Sequence, residues 1–246
     1  MNSCLVADVG GLPMIDDHVK TSAIATLVCA IRQRLDNRCQ PLAAYLQPEL
    51  ARECYRNASA QPVTEHESIA MTDAELEIIR TACEAITETV PCWKVYFAIP
   101  LSWRRLIDDL FSSSNPLIPQ HIYLGERCIR GRRLTEHIVH EVSHTWVGMI
   151  AEVVPLALPG GPLHMLPSGT PDKEIRQVIY ALTFAATAIR FYRACIAKRQ
   201  ANPDDAARLR YLERYTAGCL EIVDSSDLLL PDGRLMVESC RRALHC

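Results

Sequence analysis

His140-Glu141-Val142-Ser143-His144 is the densest concentration of reactive side chains in this 246-residue chain. On an α-helix, residues four apart lie one above the other on the same face. Both imidazoles can then reach a single metal ion, with Glu141 projecting beside it. Leu134, Ile138, Val142 and Met149 supply apolar positions, and no Pro or Gly interrupts from Leu134 to Val147. That spacing predicts a helix. Burying two His and a Glu in so apolar a helix is costly unless a metal or hydrogen bonds satisfy them. The plainer alternative is a pair of histidines that are only hydrogen-bonded or exposed.

Two histidines hold a metal poorly, so a third ligand decides the chemistry. A catalytic zinc or iron site takes three protein ligands and leaves positions open for water and substrate. The extended zincin pattern HExxHxxGxxH is absent, because its later positions are Val147 and Ile150. The other source is a carboxylate on the next helix. Glu174 stands in that helix's first turn, directly after a loop rich in Pro and Gly. An acidic residue is also favoured there by the helix dipole alone. Asp172 and His164 are further candidates. His137, on the same helix face as His140, is expected to support the site from behind or to meet solvent.

The elements that must hold these residues are mostly helical. Periodicity predicts helices at about 17–35, 42–56, 72–87 and 101–111, the third opened by a Thr72-Asp73-Ala74-Glu75 capping arrangement. Strands are expected at 94–99 and 121–124, with 112–116 as a turn between them. The stretch 154–170 contains Pro155, Pro159, Gly160, Gly161, Pro162, Pro167 and Gly169, a density of breakers that excludes regular structure. Thr170-Pro171 should open a long helix striped by Ile175, Val178, Ile179, Leu182, Ala186 and Ile189. Helices at about 203–223 and 233–244 follow. The expected fold is mainly α with a small β-sheet, a zincin-like HExxH helix packed on the second long helix in one compact domain. Residues 1–91 form a helical part with no chemical motif, which either covers the core or grips a leader peptide. Residues 92–246 form the catalytic part.

Composition narrows the function classes. Apolar residues make up 49% and charged residues 22%, the balance of an ordinary globular protein. A net charge of −3 gives no electrostatic reason to expect nucleic acid as a partner. No stretch approaches the apolar length of a membrane span, and the first 20 residues carry three Asp and no basic run. Eleven cysteines, an odd number with no CxxC pair, read as reduced thiols in a cytoplasmic protein. Cys240 and Cys246, near the C-terminus, are expected to be the exposed ones.

An ordered series of features across roughly 115–246 resembles a known family, the HExxH-type 2-oxoglutarate-dependent peptide β-hydroxylases. The series begins with Pro119-Gln120-His121-Ile122-Tyr123-Leu124 and the stretch from Leu134 to His144. It continues through Val153-Val154-Pro155-Leu156, Ala181-Leu182-Thr183-Phe184 and Arg190-Phe191-Tyr192-Arg193. It ends with Tyr211–Cys219 and Leu228-Leu229-Leu230-Pro231-Asp232-Gly233-Arg234-Leu235. The resemblance implies Fe(II) held by His140, His144 and a carboxylate or third His, with 2-oxoglutarate and O₂ as cosubstrates. It also implies hydroxylation at a β-carbon of a ribosomally made precursor peptide. Where related sequences have an acidic-Pro-Arg-Pro stretch, this chain has Thr170-Pro171-Asp172-Lys173-Glu174. A dicarboxylate cosubstrate needs a cation, ideally a bidentate Arg, and Arg176, Arg190 and Arg193 on the long helix are the candidates. The competing class is a zinc metallopeptidase with Glu141 as general base. A binding module with a degenerate metal site is the third.

Overall fold

The computed structural model describes residues 4–245 apart from 37, 60–64, 109, 116, 199 and 201. In chain order its helices and strands are α1 (Leu5–Asp8), α2 (Thr21–Leu35), α3 (Pro48–Ala58), β1 (Ser68–Ala70) and α4 (Asp73–Thr89). Next come β2 (Ser102–Leu106), β3 (Ser112–Asn115), β4 (Ile118–Leu124), α5 (Glu126–Ile129) and α6 (Leu134–Val153). The chain closes with α7 (Ile175–Ala197), α8 (Asp205–Asp224) and α9 (Pro231–His245). The protein is therefore mostly helical with one small mixed sheet. Its contacts divide it into two compact units, Thr21–Val153 and the combination of Met1–Lys20 with Val154–Cys246.

In the Thr21–Val153 unit the sheet order is β1-β2-β4-β3, with β2 parallel to β4 and the outer pairs antiparallel. All seven residues of β4 are buried. Helix α6 packs against α2, α4, β3 and β4, which explains why its apolar residues are not confined to one stripe. Trp146 donates its indole N–H to Tyr96 O at 3.1 Å and packs edge-on against that ring. Near the end of α6, Glu152 receives a bidentate bond from Arg32, both contacts 2.8 Å. Arg32 is fully buried and also donates to Tyr45 O and to Gln120 Oε1. Tyr55 adds a hydroxyl bond to Glu152 at 2.8 Å. This charged cluster joins α2, α3, β4 and α6.

Several sequence expectations need correction in this unit. The segment 121–124 is a strand as expected, and it lies inside the sheet between β2 and β3. The edge beside it is β3, whose run of serines lacks the apolar alternation that marks a strand. Residues expected as a helix at 101–111 instead supply β2, stabilised by pairing with β1 and β4 that no local periodicity reveals. The expected strand at 94–99 is largely a 3₁₀ helix, Pro91–Phe97. Pro91 starts it, and Trp93 and Tyr96 share the buried face at the spacing of three that this helix type brings into line. The Thr72–Glu75 capping box is present at the start of α4.

In the other unit α7 packs against α8 and α9, and α1 against α9. The whole predicted α7 stripe is buried. The helix begins at Ile175 rather than at Thr170. Asp172 has φ 58°, in the left-handed region, and Lys173 exchanges both backbone hydrogen bonds with His164, so helical geometry cannot start earlier. Gly233 is required by close packing, since a Cβ there would stand 2.1 Å from Leu156 O. Cys240 is buried on α9, contrary to expectation, and its thiol is pushed up to about 12, chiefly by burial. Cys246 lies outside the described residues. All ten described cysteines are free thiols. Among the described residues, no helix is long and apolar enough to cross a membrane.

Candidate metal centre

Helix α6 brings His140 and His144 together as their spacing requires. Their Nε2 atoms are 2.7 Å apart, with ring centroids at 4.4 Å and planes at 80°. That separation suits one imidazole N–H donating to the other's lone pair. Two imidazoles sharing one metal through bonds of about 2.0–2.1 Å need only a slightly wider spacing. Both histidines are half-buried. Burial, helped by positive charge at His140 and opposed by Glu141, lowers the His144 pKa to about 3. His144 is thus neutral in ordinary buffers, the form in which imidazole ligates a metal.

Glu141 is buried, 1% exposed, and its Oε2 accepts no hydrogen bond among the described residues. An unsatisfied buried carboxylate oxygen is expensive and marks a place where a ligand or proton belongs. Its charge also acts on Cys128, whose thiol is raised to about 12 by burial first and by Glu141 second. Glu136, one turn before His140, is buried as well. Sequence reasoning passed over it, although its spacing of four from His140 places it on the histidine face.

His137 bonds through Nδ1 to Ser112 Oγ at 3.2 Å, and its ring lies flat beside Phe111, centroids 5.8 Å apart and planes at 3°. It supports the N-terminal end of the site rather than standing in open solvent. Beyond His140 and His144, no third His, Cys, Asp or Glu completes a metal-holding group among the described residues. The pair fits a metal as two of its ligands.

The remaining candidates belong to the other unit. Glu174 is the exposed N-cap residue of α7, and its backbone N–H donates to Gln177 Oε1 at 3.0 Å. Asp172 and His164 sit in the paired loop before it, and His164 Nε2 is buried without a hydrogen-bond partner. Arg176 is exposed. Arg190 is engaged by Asp17 and by Ile15 O, and Arg193 by Glu213 and the carbonyls of Ala243 and Leu244. The two latter guanidinium groups therefore hold α7 to its neighbours.

No protein-family model matches this chain, and no curated protein matches it. The functional reading therefore rests on its own residues.

Proposed function

We propose that this protein is a metal-dependent enzyme that modifies a peptide, with His140 and His144 as two of the metal ligands. The observation that carries this reading is the convergence of the two Nε2 atoms beside a buried, unsatisfied Glu141 oxygen. Read with the resemblance over 115–246, the metal is Fe(II), the cosubstrates are 2-oxoglutarate and O₂, and the product is a precursor peptide hydroxylated at a β-carbon. Glu174 is the proposed third ligand, and Arg176 is the proposed partner of the cosubstrate's distal carboxylate. When bound, the iron would supply oxidation of an unactivated C–H bond. The protein's own part is to present two imidazoles, that of His144 neutral, from one helix face and to keep Glu141 buried beside them.

The buried Glu141 oxygen also favours a second reading, a zinc peptidase in which this carboxylate takes the proton of the attacking water. One experiment separates the two. Anaerobically purified protein is loaded with Fe(II) or with Zn(II), its metal content is measured, and it is assayed for succinate release and for peptide cleavage. The hydroxylase reading expects iron-dependent succinate formation. The peptidase reading expects zinc-dependent cleavage. In either case His144→Ala should lose metal, because one remaining imidazole leaves the ion largely hydrated. Full metal occupancy in that variant overturns both.

A further inference from the structure

Ahead of the histidine helix the protein carries a cationic and apolar surface that the metal site does not use. The segment Arg127-Cys128-Ile129-Arg130-Gly131-Arg132-Arg133 has four arginines in a chain of net charge −3. Glu126 pairs with Arg130 at 3.0 Å. Arg127, Arg132 and Arg133 have no carboxylate partner among the described residues, and all three are exposed. Together with Phe111, Cys128 and His137 they line a cavity of about 360 Å³. Arg127 also borders a second cavity of about 540 Å³, lined by the apolar Ile69, Ile107 and Leu110 and by the charged Arg105, Asp108 and Glu126.

The apolar side of this surface is unusually open. Ile107, Leu110 and Phe111 are 55%, 47% and 55% exposed. Phe111 is nonetheless tied down. Gly125 donates its N–H to Phe111 O at 2.8 Å, and a Cβ on Gly125 would stand 2.1 Å from Leu110 O. Phe111 is further held by its flat contact with His137. Exposed large side chains beside three arginines that pair with no carboxylate among the described residues are the composition of a recognition surface. The arginines stand in solvent at the rim, where they steer and select a charged partner.

We propose that Ile107, Leu110, Phe111, Arg127, Arg132 and Arg133 form a docking site for a peptide segment that carries carboxylates between apolar side chains. The apolar side chains cover Ile107, Leu110 and Phe111, and the carboxylates pair with the three arginines, where the planar guanidinium favours bidentate contact. His137 places the docked segment one helical turn from His140 and Glu141. Only the further step, that the docked peptide is the substrate, rests on the proposed function.

The test uses the full chain stripped of metal, so its outcome is independent of catalysis. A fluorescent synthetic peptide alternating Glu with Leu and Phe is titrated by anisotropy, beside a version in which every Glu is Gln. The acidic peptide should bind and weaken with added salt, while the Gln version should bind at least tenfold more weakly, about 1.4 kcal/mol. Arg132→Glu with Arg133→Glu should weaken the acidic peptide by a similar factor, and Phe111→Ala should weaken both peptides. All three residues are exposed, and circular dichroism confirms the fold of each variant. Equal affinity for the two peptides, or unchanged binding in the arginine variant, overturns the proposal. So does displacement of the peptide by 2-oxoglutarate or inorganic phosphate at concentrations no higher than the peptide itself needs, which would make this a small-anion site.

Discussion

The two units bury different things. The α7–α9 unit buries Val178, Ile179, Leu182, Ala186 and Ile189 along one helix; Thr183 and Thr187 donate to carbonyls one turn back, while Asp232 and Ser239 bond Val6 and Asp16 near the start of the chain. The Thr21–Val153 unit buries charge: Arg32, Glu136 and Glu141, with Glu152 close behind. An apolar core tolerates small shifts at modest cost, whereas a buried ion pair holds only in one geometry. The unit that carries the histidine pair is the one whose sheet and helices meet at a buried ion pair.

The strongest way to break this contrast is at Arg32. Arg32→Ala leaves Glu152 buried without its bidentate partner and should cost about 3–5 kcal/mol in urea unfolding. Hydrogen exchange should show lost protection in α2, α3, β4 and α6. Joint replacement of Arg32 by Met and Glu152 by Leu should recover most of that stability. A single variant as stable as the parent would mean that the charged cluster does not hold the unit together.

A substitution in the other unit gives the converse. Leu182 is fully buried on α7, and Leu182→Ala should destabilise by about 2–5 kcal/mol through lost transfer energy and the cavity left behind. Folded Leu182→Ala protein should keep the metal affinity of the parent at the histidine pair. Loss of metal binding in a folded variant would show that apolar packing in α7 also sets the site geometry.

How much of this was legible in the sequence follows the same division. Helices α6 to α9 announced themselves, because apolar residues at spacings of three and four survive any context. The HExxH face was equally plain, since a spacing of four fixes it. The region from Pro91 to Asn115 was misread because its strands are stabilised by partners distant in sequence, and β3 carries serines where the pattern asks for apolar residues. The Arg32–Glu152 bond joins residues far apart in the chain, and no local signal connects them. Glu136 could have been found from its spacing alone. The start of α7 could not, because the bond pair between His164 and Lys173 overrides the Thr170-Pro171 signal.

The smallest expected effect on stability falls at Glu174, and it carries the most chemical information. As the N-cap of α7 it is exposed, so its interaction with the helix dipole contributes only about 0.3–1 kcal/mol. Glu174→Ala should therefore unfold almost where the parent does. If Glu174 supplies the third ligand, the variant should still bind metal less tightly, and added metal should raise its melting temperature less than the parent's. Glu174→Gln keeps the size and capping capacity but removes the charge, and it should resemble the alanine variant in metal affinity while matching the parent in stability. A split of that kind, in which metal binding falls while stability holds, is the signature of a ligand and not of a cap. Unchanged metal content in both variants would remove Glu174 from the site and turn attention to Glu136, already buried on the histidine helix.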